Sequence, residues 1–321
     1  MKVLVTGAGG FLGKRVVSTL LERGHKVRAL VRPSTTLATT GRLSGAELVH
    51  ADLRANKELE KLFEGVDVLV HLAATVRGSP ESQFVGGAVC TERLLEAMRR
   101  VDSIRHVVLA SSFAVYDWTA TGKELTEESP LESIPYERDG YTVAKMWQER
   151  VAHRLTAESG LKMTVLRPGF IYGPGAAPVA GAGIKIGKVY FVVGPFTRLP
   201  LTHVDNCAAA FADAAEKGAE GTFNIVDDER ISAWQYTSRL LGNPSNTLRF
   251  ALPYTAGLVI AYMAQLTSRI LFPPKGGKLP EILVPRRYRA VFRPLYFDNH
   301  RAKEILGWKC KKLFANGCDV I

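Results

Sequence analysis

The sequence is poor in cysteine, with four among 321 residues. Cys90, Cys207, Cys310 and Cys318 lie too far apart for a C-x-x-C pair or for the framework of a small secreted domain. Reduced thiols and a cytoplasmic location are expected. No long apolar run goes uninterrupted: the greasiest stretch, 251–272, is broken by Pro253, Gln265, Ser268 and Arg269, which argues against a membrane span. The opening Val3-Leu4-Val5 runs straight into glycine and is too short for a signal-peptide core. Internal repeats are absent, so a solenoid or propeller is not expected. Acid is scarce relative to base, with 31 Asp and Glu against 42 Lys and Arg, a net charge of +11. That surplus suits nucleic acid, an anionic membrane, phosphorylated small molecules or simply a solvated basic face. Since no nucleic-acid motif accompanies the charge, nucleic acid is not expected as a partner. No His/Cys/carboxylate cluster has metal-ligand spacing, and no metal is expected.

What is present is an ordinary globular composition, 46% apolar and 23% charged, which excludes disorder, collagen and coiled coil. Short β-type runs alternate with amphipathic stretches through the first two-thirds of the chain. Strands are predicted at 2–6, 26–31, 47–50, 68–71, 107–110, 163–167 and 222–225, with helices at 11–23, 56–63, 91–100, 141–159 and 205–217. Leu94, Leu95 and Met98 fall at helical spacing and read as core. The fold class is α/β: a doubly wound parallel sheet, which binds ligands at the carboxyl ends of its strands. A Gly/Pro/Ala-rich loop over 173–187 marks a crossing between lobes. Residues 1–175 form the dinucleotide-binding domain, with 204–227 returning to it, and 176–203 and 228–321 form a smaller substrate lobe. Within that lobe, 251–272 reads as a helix or helix pair covering a greasy pocket. Peripheral membrane contact is the sharper alternative, because ten Lys and Arg against three Asp and Glu follow between Pro273 and Lys311.

Gly7-Ala8-Gly9-Gly10-Phe11-Leu12-Gly13 sits between a predicted strand and a predicted helix, the context that a glycine fingerprint requires. Gly7 permits the tight turn, Gly10 lets the backbone approach a pyrophosphate, and Gly13 allows close helix packing, while the helix N-terminus offers free N–H groups to the anion. At the end of the second strand an acid would bind the ribose 2′-hydroxyl of NAD. Here Val31 is followed by Arg32, whose guanidinium suits a 2′-phosphate, so NADP is favoured and NAD is the second choice. Arg28 would add charge or be a solvated strand residue. Asp52 and Leu53 are placed to meet the adenine edge, with a turn cap as the plainer role for Asp52.

Tyr141 and Lys145 are four residues apart on one helix face, so both can address one ligand. A tyrosine of ordinary pKa near 10 is a poor base at neutral pH, and a neighbouring ammonium would lower it toward the working range. Ser112, just past the strand at 107–110, can hydrogen-bond a carbonyl or alkoxide oxygen.

On these residues the chain resembles the extended short-chain dehydrogenase/reductases, the branch with epimerases, dehydratases, 3β-hydroxysteroid dehydrogenases and dihydroflavonol reductases. Further motifs carry the likeness: His71-Leu72-Ala73-Ala74, Ser111-Ser112-Phe113-Ala114-Val115-Tyr116, Leu166-Arg167-Pro168-Gly169-Phe170-Ile171-Tyr172-Gly173-Pro174, Leu201-Thr202-His203-Val204-Asp205-Asn206, and the closing Leu306-Gly307-Trp308. The resemblance implies that Tyr141 is the proton donor and acceptor, that Lys145 holds the nicotinamide ribose and tunes Tyr141, and that Ser112 orients the substrate oxygen. It places Leu72, Ala73 and Ala74 along the cofactor, and Pro168, Phe170 and Ile171 on the nicotinamide side. It also implies a homodimer through the helices at 91–100 and 141–159.

Sugar-nucleotide members usually carry asparagine where Phe170 stands. With Arg32 and the apolar 251–272, Phe170 directs the expectation to reversible ketone and alcohol chemistry on a bulky, largely apolar small molecule. A nucleotide-sugar epimerase or dehydratase with tightly bound NAD is the alternative. A non-catalytic dinucleotide-binding sensor or scaffold is a second one, against which stands the complete Ser-Tyr-Lys set.

Overall fold

The computed structural model describes residues 1–36, 41–242, 247–272 and 279–314. Seven short runs rich in Val, Leu and Ile become the strands of one sheet: β1 (Lys2–Thr6), β2 (Lys26–Val31), β3 (Glu47–His50), β4 (Val68–His71), β5 (His106–Ala110), β6 (Lys162–Pro168) and β7 (Gly221–Ile225). Their order is β7-β6-β5-β4-β1-β2-β3, with every neighbouring pair parallel. The direction of winding therefore reverses between β1 and β4, where doubly wound sheets open a ligand crevice. Helices cover both faces, so successive residues Val3, Leu4 and Val5 are all buried. Each contributes about 1.5–3 kcal/mol by leaving water.

The helices are α1 (Phe11–Glu22), α2 (Pro80–Phe84), α3 (Cys90–Met98), α4 (Gly140–Glu158), α5 (Val204–Lys217), α6 (Ala233–Leu241), α7 (Tyr254–Leu271) and α8 (Pro285–Phe292). One face of the sheet packs Val16, Val17 and Leu20 of α1 with Phe211 of α5. The other packs Leu94, Leu95 and Met98 of α3 with Val151, Ala152 and Leu155 of α4.

Two predicted helices differ from the observed ones. The helix expected at 56–63 contracts to a 3-10 turn, Leu59–Phe63. The residues before it are held in turns instead: Asn56 N donates to the Asp52 carbonyl at 2.8 Å, and Glu58 N to Asn56 Oδ1 at 2.8 Å. Conversely, the helix expected at 91–100 starts far earlier, with Ser79 as the cap of α2 and a π-helical turn at Val85–Val89 leading into α3. Gly86 and Gly87 hid this from the apolar pattern. A Cβ at Gly87 would stand 3.2 Å from that of Ala144, so the glycine lets this turn approach α4.

In the smaller lobe Ile184–Ile186, Val189–Val193 and Leu248–Leu252 form a three-stranded sheet beside α6, α7 and α8. The lobe does not extend over all of 228–321 as expected. Tyr296–Phe297 pairs with Glu124–Leu125, and Ala302, Leu306 and Trp308 are buried in the core beneath α1 and α5. This closing segment thus packs with the large sheet, because its apolar side chains find their burial there. Cys318 lies outside the described residues. No helix among the described residues is long and apolar enough to cross a membrane.

Candidate active site

The loop after β1 is built for close approach. Gly7 has φ of +70°, which glycine adopts without a Cβ penalty, and a Cβ there would lie 2.9 Å from Ala73 N. The loop therefore touches Leu72 and Ala73, just past β4, where the winding reverses. Gly10 is exposed and precedes α1 with extended backbone, leaving the helix N-terminus open to an anion. Gly13 is buried, and a Cβ on it would stand 2.1 Å from the Gly7 carbonyl. These three positions form a cradle that any side chain would fill, which fits a dinucleotide diphosphate. Phe11 and Leu12 sit partly buried in the first turn of α1, and Ala74 is partly exposed beyond Ala73.

Around the expected adenosine end the residues divide. Arg32 is exposed immediately after β2, near enough that its charge helps to lower Asp52. Arg28 takes neither of its two expected roles: it is buried, bonded through Nε to Glu47 at 2.8 Å and through Nη1 to the Leu62 carbonyl at 2.7 Å. Its place inside the sheet–helix packing makes it a strut, out of reach of a 2′-phosphate. Asp52 performs the turn role, accepting from Arg54 N at 2.9 Å and from the Arg54 guanidinium at 2.7 Å. Those bonds hold its carboxyl down at about 2. Leu53 is buried, and its carbonyl accepts from Arg93 at 2.9 Å.

At the carboxyl end of β5 the three chemical residues converge. Ser112 opens the short turn Phe113–Val115, its Oγ accepting from Ala114 N at 3.2 Å. Asp139 caps α4 by accepting from Thr142 N at 2.7 Å, which places Tyr141 in the first turn of the helix. The Ser112 hydroxyl neighbours the Tyr141 phenol. Lys145 Nζ stands 5.9 Å from the centre of the Tyr141 ring and donates to the Ala110 carbonyl at 2.6 Å and to Gln148 Oε1 at 2.8 Å.

The expected acidification of Tyr141 is absent from this geometry. Burial pushes the phenol up to about 12, with the Ser112 hydroxyl opposing and the Asp139 charge adding to the rise. Burial also draws Lys145 down to about 8, against the pull of Glu149. Both shifts have one cause, a dry site that disfavours the charged form of each group. Tyr141 therefore rests as a phenol, the form that donates a proton.

Motif reading missed a buried polar chain behind the lysine. Gln148 Nε2 donates to Thr91 Oγ1 at 2.8 Å and to the Ala73 carbonyl at 3.2 Å. Thr91 Oγ1 donates to the Gly87 carbonyl at 2.8 Å and lies 2.7 Å from His71 Nε2, whose Nδ1 lies 2.7 Å from Thr6 Oγ1. Burial and the Lys145 charge hold His71 down at about 3, so it is neutral. The available signal was position, since Gln148 follows Lys145 by three residues on the same helical face.

Pro168 ends β6, and Phe170-Ile171-Tyr172 pairs in parallel with Leu201–His203. Phe170 and Ile171 are partly exposed. The Phe170 ring lies against Gly181, where a Cβ would be 2.5 Å from it. Arg198 lies over the Tyr296 ring, 5.0 Å from its centre.

A dinucleotide cradle at the switch point, with a serine, tyrosine and lysine beyond β5, defines an NAD(P)-dependent oxidoreductase of the extended short-chain class. Comparison with known proteins agrees. The model of the NAD dependent epimerase/dehydratase family matches residues 3–226, and the chain belongs to that family. Sterol demethylase protein B of Methylococcus capsulatus is 32% identical over 288 residues, covering 85% of this chain and 84% of that protein. 3beta-Hydroxysteroid-dehydrogenase/decarboxylase isoform 1 of Arabidopsis thaliana is 28% identical over 333 residues, covering 95% of this chain and 75% of that one. The chain spans 58% of the length of isoform 2. Among solved structures, UDP-glucuronic acid 4-epimerase from Bacillus cereus in complex with NAD superposes with a TM-score of 0.73 at 21% identity, covering 100% of this chain and 95% of that chain. That likeness is one of fold.

Proposed function

We propose that this chain interconverts a ketone and a secondary alcohol on a bulky, largely apolar substrate of the sterol class. The observation that carries the reading is the convergence of Ser112, the Tyr141 phenol and Lys145 at one strand end beside the glycine cradle. A bound nicotinamide supplies or accepts the hydride at the carbon that bears oxygen. The chain does the rest: Ser112 holds the substrate oxygen, and Tyr141 passes its hydroxyl proton to that oxygen in reduction or takes one back in oxidation. Lys145 holds the ribose and, when charged, stabilises the phenolate left behind. Arg32 supports NADP over NAD, as its guanidinium suits a 2′-phosphate.

The substrate class rests on Phe170, which brings an aromatic ring to the nicotinamide side, and on relatives named for sterol chemistry. The test is incubation with 3-keto and 3β-hydroxy steroids and either nicotinamide cofactor, following nicotinamide absorbance. Turnover of a steroid supports the reading. Tightly retained NAD, no net redox with any steroid, and epimerisation of a UDP-sugar would replace it with the sugar-nucleotide reading. We also propose a homodimer through the outer faces of α3 and α4, beside exposed Trp147; a single-chain mass by light scattering would remove it.

A further inference from the structure

Helix α7 is built inside out for a water-facing element. Its buried positions are small, Gly257, Ala261 and Ser268, and the first lies against α8: a Cβ on Gly257 would stand 2.0 Å from Tyr288 Oη. Apart from Tyr254 and Leu258, which pack on Tyr288 and Phe292, most of its large apolar side chains point away from the protein. Val259, Met263, Leu266 and Ile270 follow at intervals of four, three and four residues, which aligns them in one stripe along the helix. All four are between 53% and 67% exposed, with Ile260 and Leu271 flanking them at 51% and 64%. Eighteen residues of helix make this stripe about 27 Å long at ~1.5 Å per residue. A surface helix normally has the opposite arrangement, and a contiguous apolar patch of this kind marks an interaction site.

One flank of the stripe is cationic. Tyr262, Gln265 and Arg269 of α7 face Arg286, Arg287 and Arg289 of the α8 segment across a cleft of about 530 Å³. Arg286 is already engaged by Asp117 and Glu132, and Glu137 also lines the cleft. Arg289 lies over the Tyr262 ring at 5.6 Å. Counting Arg269 and Arg289 against Glu137, the rim is left with a surplus of positive charge.

We propose that the outer face of α7 docks on an anionic phospholipid bilayer, the helix lying in the plane of the interface with its stripe among the acyl chains and the arginine flank against lipid phosphates. Apolar burial and charge attraction add in such an arrangement, and neither requires a span. A second copy of this chain is the poorer occupant. A two-fold pairing through the same face would bring Arg269, Arg287 and Arg289 of both copies to one rim.

The test uses the full chain and reads binding without turnover, so its failure is separate from a failure of the proposed reaction. Sedimentation with vesicles of phosphatidylcholine mixed with phosphatidylglycerol should carry the protein down, while phosphatidylcholine alone should retain much less. Met263→Glu with Leu266→Glu should weaken binding to the mixed vesicles at least about tenfold, since two charges replace inserted apolar groups. Both side chains point outward, so thermal melting should be unchanged. Arg269→Glu should weaken binding to the mixed vesicles and leave the residual binding to phosphatidylcholine as it was. The proposal is overturned if the wild type stays in solution with both vesicles, if the double variant sediments like the wild type, or if the face proves to hold a dimer that Met263→Glu splits and that ignores lipid.

Discussion

Lys145 donates to Gln148 Oε1 at 2.8 Å, and the amide end of the same Gln148 reaches Thr91 Oγ1 and the Ala73 carbonyl. One side chain thus joins the ammonium beside Tyr141 to the loop after β4, which also meets Gly7. Hydrogen bonding to a charged group favours that charge. Gln148→Leu should therefore lower Lys145 further below its value of about 8, and Gln148→Glu should raise it. An alkaline limb in the pH dependence of kcat/KM, where the lysine loses its proton, should move down in the first variant and up in the second. Misplacing the lysine in Gln148→Leu should also cost about 10-fold to 100-fold in kcat. Limbs that stay put in both variants would leave Gln148 a packing residue.

How much of this was legible in sequence depends on the reach of each interaction. The strands of the large sheet are buried on both faces and read as short aliphatic runs, and the glycine cradle is local, so both stood out. The lysine–glutamine–threonine–histidine chain did not, because Gln148, Thr91 and His71 come from three separate elements. No short motif encodes that meeting. The inside-out character of α7 was hidden for a different reason. Its apolar periodicity was visible, but only the position of Tyr288 against Gly257 shows which face turns inward. For Tyr141, spacing identified the neighbouring ammonium and missed the desolvation that outweighs it.

Tyr141 should be indispensable for chemistry and dispensable for cofactor binding. In the proposed reaction its phenol is the proton donor, and general acid catalysis contributes on the order of 10²- to 10⁴-fold. Tyr141→Phe should lower kcat by at least ~100-fold while fluorescence titration gives a nearly unchanged cofactor Kd. Since burial holds the phenol up at about 12, it keeps its proton through the neutral range, and no alkaline-side loss of the reductive rate in that range should trace to it. Full activity in Tyr141→Phe would remove the assignment.

Arg32 should set the cofactor preference. Its guanidinium is exposed at the end of β2, where the 2′-position of a dinucleotide would lie. A charge-assisted bond to phosphate contributes ~1.5–3 kcal/mol, so Arg32→Asp should weaken NADP at least about tenfold and leave NAD close to its original affinity. Equal affinities in wild type and variant, measured by calorimetry with both dinucleotides, would sink the preference for NADP.

His71 should make the protein acid-sensitive. With Nε2–H donating to Thr91 and Nδ1 accepting from Thr6, the neutral ring satisfies both neighbours. A second proton would make the Thr6 hydroxyl turn from donor to acceptor and would leave a charge buried away from water. The folded value of about 3 lies below the ordinary 6.5, so between these limits the unfolded chain binds the extra proton. Stability then rises with pH through that window and is progressively lost as pH falls through it. His106, lowered to about 4 by burial, acts in the same direction. His71→Gln should be less stable at neutral pH, having lost its fit, yet show a shallower decline between pH 6.5 and 3. Parallel urea-unfolding curves for the two proteins across that range would contradict this account.

A buried ion pair lies at the back of the helix that bears Tyr141 and Lys145. Arg167 of β6 grips Glu149 of α4 through Nε at 2.9 Å and Nη2 at 2.6 Å, with both side chains buried. Its guanidinium also lies 4.8 Å from the centre of the Tyr116 ring, and Tyr116 donates to Asn224 Oδ1 at 2.7 Å. The pair thereby ties the helix bearing Tyr141 and Lys145 to β6 and, through Tyr116, to β7. Removing one partner strands a charge where water cannot reach it, which costs about 3–5 kcal/mol. Replacing both with apolar residues of similar size removes that penalty. Glu149→Leu and Arg167→Met should each lower unfolding free energy by about that amount, and the double variant should recover a substantial part of it. Urea unfolding of the four proteins closes the cycle. A double variant as unstable as the sum of the single ones would show that the two residues act independently, and the helix would then owe its placement to apolar packing alone.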